Sequence, residues 1–284
     1  MIKFFRSIRQ NLLQNGKLKS YSIYAIGEIF LLVIGILIAL QINNWNEFRK
    51  SAIQEAAFFT DVLGDLEKDS IKLDYIFDFH SKRIEYLDTL LTYVRNSDKL
   101  MGLEKFGMHV EPLYYEEAAT NYSTSFESAK TSGAFNSFKN KTLLKDLTEY
   151  YTNFILLENN INSISNIITD QFEPLMSSLP LGYLNPITGS KVISENSNKM
   201  FYEKLASIKD NRSIDIDYNK LLQDPRFESY IVGDMGRTFN LLTKIKSRQQ
   251  HLENIKHKIL TKNDFLKCLL VTPFSHYFKY FPLN

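Results

Sequence analysis

An uninterrupted apolar run near the start of the chain constrains its fold more than any other feature. Residues 29–40 carry no polar side chain, and extending the run to Ile23 and Ile42 gives twenty residues. As a helix, this stretch is roughly 30 Å long, which is the thickness of the hydrocarbon core of a bilayer. Tyr21 precedes it and Trp45 follows it, where aromatic side chains favour the membrane interface. The sequence therefore predicts a transmembrane helix over residues 23–42.

Two other interpretations of the run compete with a membrane span. A cleaved signal peptide usually has an apolar region of about 7–15 residues that ends in a small-x-small site. The present run is longer, and Ala39-Leu40-Gln41 is a poor cleavage site. A buried core helix of a soluble protein is the less favoured rival. We therefore expect a retained signal-anchor helix.

The charged residues on either side of the run predict its orientation. Five Lys and Arg residues and no acid precede the span, whereas two bases and two acids balance each other between Glu47 and Glu55. By the positive-inside rule, the N-terminus lies in the cytoplasm and the chain from residue 46 onward lies outside. Residues 1–22 are expected to form a basic amphipathic tip on the inner leaflet. Apolar residues of this tip share one helical face: Phe4, Phe5, Ile8, Leu12 and Leu13.

Two stretches in and around the span carry a resemblance to a known family. They are residues 25–29 (AIGEI) and residues 35–47 (GILIALQINNWNE), and the opening residues 2–6 (IKFFR) are similar as well. These stretches resemble the start of an uncharacterised family of Bacteroidota membrane proteins, known only as a domain of unknown function. Further along, Ser132-Gly133 and Tyr150-Tyr151 are looser correspondences. The resemblance implies a Gram-negative inner membrane and a periplasmic domain, but no activity and no site residue.

Beyond the span, apolar residues recur at alternating steps of four and three, the spacing of a helix that packs along one stripe. The first series predicts a long helix over about residues 46–96. Its members are Phe59, Leu63, Leu66, Ser70, Leu73, Phe77, His80, Ile84, Leu87, Leu91 and Val94. The same period predicts a second long helix from about Thr142 to just before Pro174.

A third long helix is predicted to begin at Pro225, with Asp224 as its cap. Its predicted buried face consists of Ile231, Met235, Phe239, Leu242, Ile245, Leu252, Ile255 and Ile259. A shorter helix is predicted over Tyr114–Lys130, ended by Ser132-Gly133. Residues 176–198, which hold two prolines and two glycines, are predicted to form an exposed loop.

Strict apolar alternation is nearly absent, so no strand is predicted. The fold class is therefore all-α, with an N-terminal transmembrane helix followed by an antiparallel bundle of three long and one or two short helices. The predicted divisions are the tip over 1–22, the span over 23–42, a periplasmic bundle over 46–264 and a C-terminal tail over 265–284.

Sequence motifs of the common catalytic and cofactor sites are missing. None of the five histidines lies in H-E-x-x-H or E-x-x-H, and no glycine-rich nucleotide motif or G-x-S-x-G occurs. Cys268 is the single cysteine, which excludes an intrachain disulfide and a thiolate metal cluster. We therefore expect no enzymatic activity, no cofactor and no metal site. His80, in the predicted buried stripe, is interpreted as a hydrogen-bonded core residue.

Two further groups of side chains each allow a binding interpretation and a structural one. Asp61, Asp65 and Asp69 share one helical face, and we interpret them as a solvated acidic face rather than a cation site. Tyr150 and Tyr151 are interpreted as core residues rather than the lining of a ligand pocket.

The span itself contains the candidate site. A carboxylate inside a membrane is costly and often functional. Glu28 lies about 7.5 Å from the cytoplasmic end of the span, so its side chain either snorkels to the interface or pairs with a partner. Gly35 and Ala39 form a small-xxx-small pair that permits close approach of a second helix. Glu28, Gly35 and Ala39 are therefore predicted as a candidate transmembrane helix-interaction site.

These features favour a non-enzymatic, membrane-anchored periplasmic bundle that acts as an interaction or scaffold protein. The alternative is a ligand-sensing bundle of the chemoreceptor type, which would signal through a partner because the cytoplasmic portion holds no output domain. The expected partners are the lipid bilayer and either a second copy or another membrane protein. Nucleic acid is not expected, because the net charge is only +2 and the excess of bases lies at the start of the chain. The expected location is the bacterial inner membrane, single-pass, with the N-terminus cytoplasmic.

Overall fold

The computed structural model describes residues 18–96, 100–177, 179, 195–209, 211 and 217–271. Its helices are listed here in chain order with our labels. They are α1 (Leu18–Val94), α2 (Leu103–Val110), α3 (Thr124–Thr131), α4 (Lys141–Thr152), α5 (Phe154–Ile167), α6 (Glu173–Met176), α7 (Glu195–Ser207), α8 (Asn219–Leu222) and α9 (Pro225–Val271). Short 3-10 turns lie at Glu111–Tyr114 and Ala134–Asn136, and a π turn at Ile168–Phe172 joins α5 to α6. The described ranges contain no strand, which confirms the all-α prediction.

The apolar run is part of α1, which continues without a break from Leu18 to Val94. It is the one helix, among the residues described, that is long and apolar enough to cross a membrane, and none of its most apolar window is buried within the protein. The predicted boundary between span and bundle near residue 46 is therefore not a break in the helix. The tip residues 1–17, the loop residues 180–194 and the tail residues 272–284 lie outside the described residues.

The chain divides into two compact units. Of the described residues, unit 1 contains those up to Ala57 together with Asn136–Lys139 and residues 265–271, and unit 2 contains those within Phe58–Phe135 and Asn140–Asp264. Unit 1 thus includes the apolar run, and unit 2 includes most of the bundle.

Polar pairs between the long helices define the topology of unit 2. Along α1 and α9, Glu67 pairs with Lys256 and Arg83 pairs with Asp234, so the two helices run antiparallel. Asp146 of α4 pairs with Lys258, and Ser163 of α5 bonds to Arg237. The α4–α5 segment therefore also runs antiparallel to α9, and parallel to α1.

The connection between α1 and α4 explains this mixed arrangement, which differs from the fully antiparallel bundle that we predicted. Residues 113–125 of this connection, called the connecting segment below, lie against α1 and run in the opposite direction. As its residue numbers rise, its partners on α1 move toward the start of that helix. Leu113 and Tyr115 contact Arg83, and Glu117 contacts Lys72. Tyr122 then contacts Asp69, and Ser125 contacts Asp65. This return brings the chain back before α4 begins, so α4 starts in the same direction as α1.

Two predicted helices differ from the observed ones. The segment predicted as a helix over Tyr114–Lys130 is helical only from Thr124. Before that point, side chains of α1 bond to its backbone carbonyl and N–H groups, which replaces helical hydrogen bonds. The helix predicted from Thr142 to Pro174 is interrupted at Asn153, which ends α4 and precedes α5. The predicted stop at Ser132-Gly133 is confirmed, because Gly133 has a φ of 74°, the conformation of a helix C-cap glycine.

The buried stripes of α1 and α9 are shifted from the predicted ones. Five of the eleven predicted α1 positions are buried, at Phe59, Leu66, Leu73, His80 and Leu87. For five others, the buried residue is one position earlier than predicted, at Val62, Asp69, Ile76, Arg83 and Leu90. On α9, Phe239 is exposed, and the buried stripe includes Asp234 and Thr238 instead. Charged residues thus occupy core positions on both helices.

Candidate functional site

The three predicted span residues lie on one face of α1. Gly35 follows Glu28 by seven residues and Ala39 follows it by eleven, which are close to two and three helical turns. Glu28 is partly buried, whereas Gly35 and Ala39 are exposed. A Cβ atom placed on Gly35 would have no neighbour within 4 Å. The face is therefore open at the two small residues, and its role in helix association stays a prediction.

A buried ion pair forms the centre of unit 2. The Arg83 guanidinium donates to both carboxylate oxygens of Asp234, with Nη2–Oδ2 at 2.6 Å and Nε–Oδ1 at 3.0 Å. The Arg83 side chain is 2% exposed and that of Asp234 is 0% exposed. Arg83 also donates to the backbone carbonyls of Tyr115 (2.8 Å) and Leu113 (3.2 Å). One side chain therefore ties α1 to both α9 and the connecting segment.

The Asp234 carboxylate also accepts hydrogen bonds from side chains of its own helix. The hydroxyl of Tyr230 donates to Asp234 at 2.7 Å, and that of Thr238 donates at 3.1 Å. Burial disfavours the charge of Arg83, but Asp234, Tyr230 and Glu116 together outweigh burial, so the pKa of Arg83 is raised. Burial is also the main reason why the pKa of Tyr230 is raised. The pair is therefore fully bonded within the fold and closed to solvent, which is the arrangement of a structural cluster.

His80 lies one turn before Arg83 in the same stripe and has no exposed surface. Neither ring nitrogen has a hydrogen-bond partner among the described residues. Burial, together with the neighbouring Arg83 cation, lowers the pKa of His80 to about 4. The Asp234 carboxylate and the nearby Glu117 backbone oppose only part of this fall. His80 is therefore a buried core residue, as predicted, and its lowered pKa keeps the ring neutral near pH 7. The hydrogen bonds predicted for it are not formed by either ring nitrogen within the described part of the chain.

A second buried cluster lies nearer the start of α1 in unit 2. Asp69 accepts hydrogen bonds from the Tyr150 hydroxyl (2.9 Å) and the Tyr122 backbone N–H (3.1 Å), and Arg248 lies at 3.4 Å. The Arg248 guanidinium also stacks over the Tyr150 ring at 3.7 Å and donates to the Tyr150 carbonyl at 2.7 Å. Burial raises the pKa of the Asp69 carboxyl, and these donors offset the effect only in part. This cluster joins α1, α4, α9 and the connecting segment.

The interpretation of the aspartate series as a solvated face is wrong for two of its three members. Asp65 is 7% exposed and Asp69 is 1% exposed, while Asp61 is exposed. Asp65 accepts the backbone N–H of Ser125 at 2.9 Å, in the first turn of α3. A carboxylate at a helix start bonds an otherwise unpaired N–H and interacts favourably with the helix dipole. These aspartates therefore fasten the connecting segment to α1.

Tyr150 and Tyr151 are core residues, as interpreted, with exposures of 1% and 5%. The Tyr151 ring packs against Phe126 at a centroid distance of 4.7 Å. Its hydroxyl is buried without a hydrogen-bond partner in the described part of the chain, and burial raises its pKa. Within the described residues, no three His, Cys, Asp or Glu side chains lie together in a group that could hold a metal ion.

The sequence analysis missed Arg83, Asp234, Arg248 and Tyr230 as members of buried clusters. A usable signal was present in the helical period, because extending the stripe from Val62 by steps of seven reaches Asp69 and Arg83. A charged residue at a core position implies a buried partner of opposite charge.

A protein-family model matches residues 28–179, about half of the chain, and describes a family of unknown function, DUF6090. The chain belongs to this family. The region that matches DUF6090 includes the apolar run, the connecting segment and the α1 members of both clusters. Their partners Asp234 and Arg248 lie on α9, beyond the DUF6090 match. No curated protein and no solved structure matches the chain.

Proposed function

We propose that this DUF6090 protein is a single-span membrane protein whose helical bundle acts outside the cytoplasm as a non-enzymatic interaction or scaffold protein. The observation that carries the proposal is the exposed apolar stretch of α1. Large apolar side chains on every side of the helix are more than 40% exposed, including Ile29, Leu32 and Ile36. Soluble monomeric proteins rarely expose contiguous apolar patches of this extent, and a lipid phase removes the cost.

The proposed orientation is derived from the charges that flank the span. Five bases precede it, so the N-terminus is assigned to the cytoplasm and the bundle to the periplasm of a Gram-negative cell. A membrane-impermeant thiol reagent applied to spheroplasts tests this assignment after mild denaturation. We expect Cys268 to be labelled in the natural protein. A cysteine introduced by Ser7→Cys, in a Cys268→Ser background, should stay unlabelled until the membrane is opened, and the reverse pattern would refute the orientation.

The proposed non-enzymatic role rests on where the buried charges are used. Arg83, Asp234 and Asp69 are the kind of buried ionisable groups that often mark active sites. Here each of them bonds to the backbone or side chains of neighbouring segments and holds the bundle together. Because these charged groups stabilise the bundle, they favour a rigid domain that binds partners through its surface rather than an enzyme that acts on a substrate.

Partner binding through the span is tested with substitutions on its candidate face. Glu28→Gln removes the charge, and Gly35→Leu adds bulk where a second helix would approach. We expect at least one of them to change the migrating species of detergent-solubilised protein in native electrophoresis, while both variants still insert into membranes. Ile36→Leu serves as a matched control, because it keeps the hydrophobicity of an exposed position off that face. If both variants migrate like the unsubstituted protein, the span is only a passive tether.

A pulldown from solubilised membranes tests the interaction proposal directly. A scaffold protein should co-purify with a membrane partner or a second copy in a pulldown from solubilised membranes. Failure of both Glu28→Gln and Gly35→Leu to alter any complex, together with recovery of the monomer alone, would contradict the interaction proposal.

A further inference from the structure

A short segment of unit 1 returns to α1 just after the apolar run. The Ser51 hydroxyl donates to the Ser137 carbonyl at 2.7 Å, and the Lys139 backbone N–H donates to the Glu55 carboxylate at 3.0 Å. Phe138, between these two contacts, is 2% exposed. The segment 136–139 is therefore fixed to α1 by hydrogen bonds at both ends and by a buried aromatic ring. This attachment sets the position of Lys139.

The attachment also changes the charge that this part of α1 presents to solvent. In the sequence, Glu47 and Glu55 balance Arg49 and Lys50. In the fold, Glu55 is 1% exposed and is used to bind the Lys139 backbone. The Lys139 side chain adds a cation from a position ninety residues along the chain from Arg49. Three bases and one exposed acid, Glu47, remain at the surface.

These cations lie beside aromatic rings at the end of the apolar run. The Arg49 guanidinium lies 6.0 Å from the centre of the Trp45 ring, and the Lys139 ammonium lies 5.9 Å from that of Phe48. Neither Arg49 nor Lys139 forms an ion pair with a carboxylate of the described residues, whereas Lys50 pairs with Glu47 at 3.2 Å. Arg49 and Lys139 therefore keep their charge available.

The height of the cations follows from the helical rise. Phe48 is six residues beyond Ile42, so it lies roughly 9 Å along the helix from the end of the span. Headgroups occupy about the first 5–7 Å outside the hydrocarbon core on each side, and charges are felt over about 8 Å at physiological salt. Phe48 thus lies just beyond the headgroup layer, within reach of lipid phosphates for the long side chains of the neighbouring cations.

We propose that Arg49, Lys50 and Lys139 form a basic collar that binds the headgroups of anionic phospholipids. The proposal rests on the proposed membrane span, because only insertion of residues 23–42 brings the collar to the surface. Arginine binds a phosphate through two parallel N–H donors, and lysine adds a point charge. Trp45 and Phe48 hold the apolar stems of the two cations at the interface. Lipid binding by the collar would fix the height of unit 1 at the membrane surface.

Trp45 is the single tryptophan of the chain, so its fluorescence reports the lipids beside the collar. The full-length protein is reconstituted in mixtures of phosphatidylcholine and phosphatidylglycerol in which one or the other lipid is brominated. Bromine quenches tryptophan only at close range, so the ratio of the two quenching efficiencies measures lipid preference at Trp45. We expect brominated phosphatidylglycerol to quench more strongly than brominated phosphatidylcholine at equal mole fraction.

Charge-removing variants then identify the residues responsible. In Arg49→Gln/Lys139→Gln, the preference for phosphatidylglycerol should fall by about thirtyfold, because each basic residue near an anionic surface contributes about 1 kcal/mol, or about fivefold. The backbone bond from residue 139 to Glu55 is retained in this variant. Lys82→Gln/Lys244→Gln removes the same charge from two exposed lysines of unit 2 and should keep the natural preference.

The outcomes separate this inference from the proposed span. Absence of quenching by either brominated lipid would mean that residue 45 is not at a membrane, which overturns the span and the collar together. Quenching by both lipids to the same degree, or a preference unchanged in Arg49→Gln/Lys139→Gln, would support the span and overturn the collar. Loss of the preference when inorganic phosphate is added at constant ionic strength would assign the cations to a soluble anion, and would also overturn the collar.

Discussion

The buried histidine His80 makes the stability of the bundle depend on pH. His80 has a pKa of about 4 in the folded protein, compared with 6.5 for an unperturbed histidine. Between these two values the unfolded chain binds a proton that the folded protein does not. Stability contributed by neutral His80 is therefore present above about pH 6.5 and is lost as the pH falls toward 4. The substitution His80→Leu removes the titrating group while keeping a side chain of similar volume.

The size of the effect follows from the difference between the two pKa values. Each pKa unit corresponds to about 1.4 kcal/mol, so the complete transition is worth about 3 kcal/mol, and about 2 kcal/mol should be lost by pH 5. Charged groups around His80 support this direction. Arg83 follows it by one turn and disfavours a second cation, and Asp234 on α9 is already neutralised by Arg83.

The measurement compares urea unfolding of the full-length protein and His80→Leu in detergent, followed by far-UV circular dichroism over the pH range from neutral to about 4. Carboxylates also titrate in this pH range, but they do so in both the unsubstituted protein and His80→Leu. We expect the free energy of unfolding of the natural protein to fall by about 3 kcal/mol more than that of His80→Leu. Parallel pH profiles would refute the reasoning, because they would show that His80 titrates alike in the folded and unfolded states.

Three further substitutions test the packing of unit 2 by the same unfolding measurement. Leu87→Ala removes a side chain with no exposed surface and should cost about 2–5 kcal/mol, and a loss below about 1 kcal/mol would contradict its burial. Asp65→Ala leaves a backbone N–H at the start of α3 unpaired and should cost about 1–3 kcal/mol. Asp61→Ala, at an exposed position, should change stability by less than about 0.5 kcal/mol. Equal effects of the two substitutions would restore the solvated-face interpretation. Asp234→Asn should cost about 3–5 kcal/mol because it leaves the Arg83 cation buried without its counter-ion, and a neutral effect would show that water reaches the pair.

The elements predicted most accurately are those in which local sequence and burial agree. The apolar run, the start of α9 at Pro225 and the end of α3 at Gly133 each depend on residues within a few positions of one another. Most of the predicted stripe of α4 and α5 is also buried, from Leu143 to Ile168, because its members are apolar. The parallel arrangement of α1 and α4–α5 could not be predicted in this way. It depends on backbone hydrogen bonds between the connecting segment and side chains of α1, which have no local pattern.

The candidate clusters were missed for a related reason, which concerns how a helical stripe is recognised. The search for apolar residues at steps of three and four selected Ser70, Phe77 and Ile84, although the residues one position earlier are the buried ones. Two of those earlier residues, Asp69 and Arg83, are charged, and a rule based on hydrophobicity rejects them. Their burial is tolerable only because residues about 150 to 180 positions later in the chain supply the opposite charges. A helical stripe interrupted by one acid and one base is therefore a reason to search the other helices for the complementary pair, and α9 carries that pair.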